Sequence, residues 1–231
     1  MTFRKRILYF LVKNLQISNK QAHQLLLDEK ITVNGEIVNA LFEINETDTI
    51  CFQNQVLQQG IIYQYFKFYK PRGIESTLNA EIPDNLHTCI AIPEGFFPIG
   101  RLDKESEGLM LFTNNGFIMN KILKHENNME KEYEVTVNKQ LDAEFIHALE
   151  NGITIMGQKT LTTKVIQIDD FTFIITLIQG LNRQIRRMCY KFDYDVTKLK
   201  RIRMMNLYLG NMVENEIKYL SEEELKTADW L

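Results

Sequence analysis

The chain is poor in the residues that staple small proteins or hold metals: three cysteines and four histidines in 231 residues. Cys51, Cys89 and Cys189 stand far apart, are odd in number and belong to no C-x-x-C pair. This argues against a disulfide framework and against a zinc site, and leaves them as reduced core residues. The histidines, His23, His87, His125 and His147, sit in unrelated contexts. No apolar run approaches the roughly 20 residues that a membrane-spanning helix needs. The opening "MTFRKRILYFLVKNLQ" puts Lys13 directly after a short apolar segment, with no small-residue cleavage site behind it. The expectation is a cytoplasmic protein without a membrane partner. Walker loop, G-x-G-x-x-G after a strand, G-x-S-x-G elbow and H-E-x-x-H are all missing, so nucleotide-cofactor, serine-hydrolase and zinc-hydrolase chemistry lack support. Repeats and low-complexity blocks are missing too, which removes solenoids and long linkers.

What is present is a globular composition, 45% hydrophobic and 25% charged, enough for a real core. A net charge of −3 speaks weakly against a polyanionic partner, but charge is unevenly placed. From Arg183 to Arg203 the chain carries Arg183, Arg186, Arg187, Lys191, Lys198, Lys200, Arg201 and Arg203 against Asp193 and Asp195, whereas acids gather in "VENEIKYLSEEELKTADWL". A basic track for a phosphate backbone is the natural reading of the first segment.

Helical spacing of Ile7, Leu8, Leu11 and Leu15 predicts one helix, and Ser18 with Gln21 three residues on is a capping box that starts a second. In "ITVNGEIV", Asn34-Gly35 lies between two β-prone runs and accepts the positive φ angles of a type I′ hairpin. "DTICF" reads as a further strand and the polar "QNQVLQQG" as a connection, which divides the chain into residues 1–58 and 59–231. The second part alternates strand-like runs ("YQYFKFYK", "GLMLFT", "KEYEVTV", "FTFIITLIQG") with helix-like ones ("FIMNKILKH", "DAEFIHALENG", "NRQIRRMCYKF"). The predicted class is α+β around a mixed, mainly antiparallel sheet.

Three segments can carry chemistry. In "PIGRLDKESEGLMLFTNNG", Gly100 and Gly108 bracket a charged turn before an apolar strand. Asp103 there is a capping residue of a solvated loop, a metal ligand with Glu105 and Glu107, or a half-desolvated carboxylate that needs a cation to stay ionised. The metal reading is weak, since the spacing matches no calcium loop and Lys104 opposes a cation. In "KEYEVTV", alternation puts Tyr133 with Val135 and Val137 on the apolar face, where a tyrosine is ordinarily core. In "GLNRQIRRMC", a helix from about Asn182 buries Ile185, Met188, Cys189 and Phe192 and leaves Arg183, Arg186 and Arg187 for a solvated face or for phosphate and carboxylate recognition.

Taken together, "KPRGIEST", "GRLDKESEGLMLFTNNG", "EKEYEVTV" and "GLNRQIRRM" resemble, in order and spacing, the bacterial pseudouridine synthases of the RsuA and RluB, RluE and RluF type. The first two helices with "ITVNGEIV" look like the small RNA-binding module of ribosomal protein S4, although Ser18-Asn19-Lys20 carries fewer cations than the fuller Ser-Arg-Arg pattern. "NNMEKEYEVTV" and "VTKLKRIRMMN" look most like the RluF branch, which acts on 23S rRNA and in some members a tRNA. The resemblance implies that Asp103 is the aspartate that cleaves the uridine N1–C1′ bond, that Tyr133 stacks on the base and handles the C5 proton, and that Arg186 pairs with the aspartate. It implies that Arg101 fills the space left by a flipped nucleotide, and that Lys70, Arg72, Arg183 and Arg187 contact the RNA backbone. No cofactor and no metal are implied, and a monomer is expected. Two other classes compete with this reading. One is a non-catalytic RNA-binding or ribosome-assembly factor with the same fold, and the other a hydrolase using Asp103 with Glu105 or Glu107.

Overall fold

A computed structural model describes residues 6–118 and 129–228. From residue 119 onward the helix-like run "FIMNKILKH" lies outside them. The chain divides into two compact units, Met1–Tyr63 and Gln64–Leu231.

In the first unit, helices α1 (Ile7–Leu15) and α2 (Asn19–Leu27) precede a four-stranded sheet of order β2-β1-β3-β4, with β1 Ile31–Val33, β2 Glu36–Ile37, β3 Ile50–Phe52 and β4 Gln55–Gln58. The capping box forms: Gln21 N–H donates to Ser18 Oγ at 3.3 Å and Ser18 N–H to Gln21 Oε1 at 2.9 Å. Asn34 and Gly35 take φ of 52° and 85°, and Val33 pairs with Glu36 across them. Ile7, Leu11, Ala22, Ile31 and Ile50 close the core of this unit. The segment read as a connection is instead a hairpin arm. Gln53 and Asn54 adopt φ of 46° and 69°, the left-handed pair of a tight turn, and β4 runs back along β3. Beyond it, Gly60 N–H donates to Thr49 Oγ1 at 3.0 Å and Ile61 N–H to Glu46 O at 2.9 Å. These bonds tie the chain to the first unit past residue 58, so the division falls at 63/64.

The second unit is built on a mixed sheet of order β11-β12-β8-β13-β7-β5-β15, with β6 added on β7 and β14 on β13. Its strands are β5 Tyr65–Lys70, β6 Phe97–Ile99, β7 Glu107–Thr113, β8 Lys131–Val137, β11 Lys164–Gln167, β12 Thr172–Leu177, β13 Val196–Met204, β14 Leu207–Tyr208 and β15 Ile217–Tyr219. A separate short hairpin pairs β9 (Thr154–Ile155) with β10 (Gln158–Lys159). Helices α3 (Leu86–Cys89), α4 (Ala143–Asn151), α5 (Gln184–Tyr190) and α6 (Glu222–Thr227) belong to this unit as well. One core joins α4 and α5 to β8 and β12 through Phe145, Met188, Val135 and Phe173. A second gathers Phe66, Phe68, Met110, Phe112 and Leu102, with Phe66 stacked on Phe112 at 4.8 Å. Tyr133 packs against both.

Among the described residues the strands of this sheet pair antiparallel except β13 with β7, where Lys200 lies opposite Glu107 and Arg201 opposite Gly108. Two strands distant in sequence thus meet where the charged turn ends. Gly108 permits it: its φ is +107°, and a Cβ there would lie 2.3 Å from Arg201 O and 2.8 Å from Arg201 N, with no room for either backbone to give. Gly100, at φ +78°, has nothing within 4 Å of such a Cβ. Gly108→Ala is therefore expected to lower the unfolding free energy by at least about 3 kcal/mol, and Gly100→Ala by about 1 kcal/mol from backbone strain alone. Urea unfolding of the two variants checks the contrast, and equal losses would show that β7 and β13 can separate without cost.

Candidate active site

The charged turn from Arg101 to Glu105 lies between β6 and β7 and is held by its backbone. Each of five consecutive carbonyls accepts a hydrogen bond. Arg101 O takes Arg201 Nη1 at 3.4 Å, Leu102 O takes Ser76 Oγ at 2.6 Å and Asp103 O takes Ser106 N at 3.0 Å. Lys104 O takes Gly73 N at 2.7 Å, and Glu105 O takes Arg186 Nη2 at 3.0 Å. Leu102 N–H donates back to Ser76 Oγ at 3.0 Å, so the serine bonds one residue in both directions. Leu102 anchors the turn in the second core, and Asp103, next to it, is half-buried. A carboxylate on a backbone pinned in this way is presented in one place and loses little freedom on meeting a substrate.

The Pro71–Ser76 segment supplies two of those bonds and is itself shaped by Lys70. This lysine ends β5 with 0% exposure, and its Nζ donates to Pro71 O at 2.9 Å and Ile74 O at 2.8 Å. The expected phosphate contact by Lys70 is thereby corrected: the ammonium is spent on the turn and does not reach the surface. Burial lowers its pKa to about 8, against the opposing pull of Cys89, Glu75 and Asp103. Arg72, in the same turn, is exposed and donates from Nη1 to Thr197 O at 3.1 Å.

Helix α5 brings the arginines. It starts at Gln184, two residues later than the spacing predicts, because Arg183 takes the left-handed φ of 52°. Ile185, Met188 and Cys189 are buried as expected, with Phe192 packed beside them. Arg186 reaches the turn: Nη1 donates to Val196 O at 3.0 Å and Nη2 to Glu105 O, while Nε is buried without a partner. Burial, then neighbouring Arg183, pulls its pKa below the ordinary arginine value, and Glu105 and Asp103 oppose the shift. Arg186 thus lies within electrostatic reach of Asp103, but no direct ion pair joins them among the described residues; the terminal nitrogens that such a pair needs are taken by two carbonyls. Arg183 pairs with Glu105, whose carboxyl is held below its usual range chiefly by that bond. Arg187 lies on the exposed side, its Nε donating to Asn182 O at 3.0 Å and Nη2 to Asn182 Oδ1 at 3.2 Å. Arg101 is exposed and contributes its carbonyl to the Arg201 bond.

Tyr133 is half-buried on β8, on the same face as buried Val135 and Val137, and lies opposite Ile175 on β12 and Arg201 on β13. It packs against the core that contains Leu102, which puts strand β8 and the Asp103 turn on one cluster of side chains. Asp103 and Glu105 of the turn and Glu107 at the start of β7 do not converge. Glu105 pairs with Arg183, Glu107 with Lys198 at 3.4 Å, and no cluster of three His, Cys, Asp or Glu side chains that could hold a metal occurs among the described residues.

The continuous basic track expected over "VTKLKRIRMMN" is broken up in the sheet. Arg203 is paired with Glu130 and Glu132 at 3.0 and 2.8 Å, and Lys200 lies over the Tyr69 ring at 5.4 Å. Arg201 has 1% exposure and donates from Nε to Leu109 O at 2.7 Å as well as from Nη1 to Arg101 O, with Nη2 unpartnered. Arg201 and Ser76 are site residues that the sequence reading passed over. Arg201 shares the period of buried Leu199, two residues back, a signal hidden by its charge.

The sign of the Lys70 effect is fixed by its depressed pKa: between about 8 and the unfolded value of about 10.4 the unfolded chain holds more protons, so stability rises with pH. From about pH 8 to about pH 10, wild type is expected to gain about 2 kcal/mol over Lys70→Met. Denaturant titrations of both proteins across that window measure it; a constant difference would mean that burial of the ammonium has no cost.

The family described as RNA pseudouridylate synthase matches residues 64–191. The dual-specificity RNA pseudouridine synthase RluF of Salmonella typhi is 40% identical over 215 residues, spanning 92% of this chain and 68% of that one. The ribosomal large subunit pseudouridine synthase B of Bacillus subtilis is 32% identical over 218 residues, with 90% and 89% covered. A crystal structure of a pseudouridylate synthase superposes with a TM-score of 0.66 at 26% identity, over 96% of this chain and 98% of the other. With the Asp103 turn, the Tyr133 strand and the Arg186 helix in one unit and the matches running nearly the length of the chain, this protein belongs to the RNA pseudouridylate synthase family, in the group of RsuA, RluB and RluF type.

Proposed function

We propose that the protein isomerises a uridine of ribosomal RNA, of the 23S rRNA in the first place and of a tRNA in the second, with Asp103 as the catalytic residue. The observation that carries the reading is the Asp103 turn, whose five consecutive carbonyls are all bonded and which lies within the field of Arg186 and Arg183. A carboxylate fixed among cations is suited to break the N1–C1′ bond, by attack or by assisting deprotonation. The released uracil turns, C5 bonds to C1′, any bond formed by the Asp103 carboxylate is broken again and the carboxylate regenerated, and the C5 proton is lost while N1 gains one. Atoms balance within the nucleotide, so the product has unchanged mass and no cofactor is consumed. Tyr133 stacks on the base and handles the C5 proton. A stacked uracil cannot turn, so the nucleotide is flipped out at a cost of a few kcal/mol, and Arg101 takes the vacated space. Arg72, Arg183 and Arg187 hold the backbone.

The N-terminal unit, with its two helices and hairpin sheet, serves as an S4-like RNA-binding module that raises affinity through a second point of attachment. The protein acts in the cytoplasm as a monomer.

Purified wild type is expected to convert uridine in 23S rRNA transcripts at a carbodiimide-dependent primer-extension stop, with the mass of the digested nucleotides unchanged. Asp103→Asn should lower that product by at least about three orders of magnitude, and Glu105→Gln by far less. Release of free uracil would favour a hydrolase, and a stop that persists in Asp103→Asn would remove the aspartate from the mechanism.

A further inference from the structure

A cleft of about 620 Å³, lined in part by Arg183 and Arg186, opens between α5 and the β9–β10 hairpin. Its lining is unlike that of a structural crevice. Arg183, Arg186, Arg187 and Lys191 line the cleft with Asp195; Arg183 is paired with Glu105 outside it, which leaves Arg186, Arg187 and Lys191 as three cations against Asp195, and that carboxylate already accepts from Asn138 Nδ2 at 3.3 Å. Arg187 is oriented by Asn182 through two hydrogen bonds but not neutralised, and Lys191, four residues on, has no ion-pair partner among the described residues. Tyr190 lines the same space with 73% of its surface exposed, and Met156, at the tip of the hairpin with φ 51°, is 67% exposed. An open tyrosine ring and an open methionine between cations make an apolar platform inside a positive field. This combination suits an unstacked base with its phosphate, and suits an acidic peptide or a free anion less well, because those leave the ring uncovered.

We infer that this cleft is a subsite for the unpaired RNA strand next to the target uridine, with one base on Tyr190 and a phosphate on Arg187 and Lys191. The inference rests on the synthase reading above and deepens it: the cleft shares Arg183 and Arg186 with the Asp103 site, so a strand leaving one enters the other. Stacking on Tyr190 requires an unpaired flank, which makes the subsite a selector for target uridines in loops or at helix ends over those inside duplexes.

The test measures affinity of the full chain for 23S rRNA stem-loop transcripts, once with unpaired flanks around the loop uridine and once with those flanks closed by complementary strands. Tyr190→Ala is expected to weaken binding of the open RNAs about fivefold to a hundredfold and to leave the closed ones within about twofold, whereas Tyr190→Phe, which keeps the ring, binds as wild type. Lys191→Ala should reduce the salt slope on open RNAs by about 0.7. The thermal midpoint of Tyr190→Ala should match wild type, since so exposed a ring adds little to stability. Wild-type affinity of Tyr190→Ala for open RNAs, or an equal loss on both sets, overturns the subsite. Neither readout needs turnover, so failure of the synthase reading shows separately, as bound RNA in which wild type forms no pseudouridine.

Discussion

The structure depends on the pinning of a single turn. A carboxylate on a loose loop would have to be ordered anew at each encounter with a ligand, at a cost of about 1–2 kcal/mol per residue fixed. Here that ordering is done by folding. Donors come to the Arg101–Glu105 backbone from Ser76 and Gly73 on one side, from Arg201 on strand β13 on another, and from Arg186 on helix α5 on a third. Most of what surrounds the turn can be understood as support for those donors. Lys70 shapes the segment that carries Gly73 and Ser76, Gly108 lets β13 come close enough to deliver Arg201, and the Phe145–Met188 core seats α5.

Two of these supports are buried cations without carboxylate partners, Lys70 and Arg201. Burying a charge is unfavourable unless its donors are used, and both side chains give theirs to backbone carbonyls. The arrangement leaves positive potential behind the turn and lets Glu105 and Glu107 find cations of their own, Arg183 and Lys198. Asp103 therefore sits in a field set by groups that have been denied counter-charges.

Much of this was legible in the sequence because periodicity and turn chemistry are local. The Ser18–Gln21 box, the Asn34-Gly35 hairpin, the β8 alternation and the buried stripe of α5 all form as the spacing predicts. Strand β4 is hidden in the sequence because Gln53-Asn54 is a less obvious left-handed pair than Asn-Gly. Lys70 and Arg201 escape a linear reading for a different reason. Both look like surface cations in a linear reading, and only the tertiary fold determines whether the acceptors around them are water or carbonyls. The parallel register of β13 on β7, which places Arg201 beside the turn, has no local signature at all.

That register also sets when the site can exist. The bonds from Arg201 to Leu109 and Arg101 close loops of 92 and 100 residues, and contacts of such separation form late, after the local hairpins and helices are in place. On the ribosome, the turn bearing Asp103 emerges well before the strand that fixes it. A nascent chain therefore carries the Asp103 turn without its Arg201 bonds until β13 has left the exit tunnel, and the pinned backbone of the turn is a product of late folding.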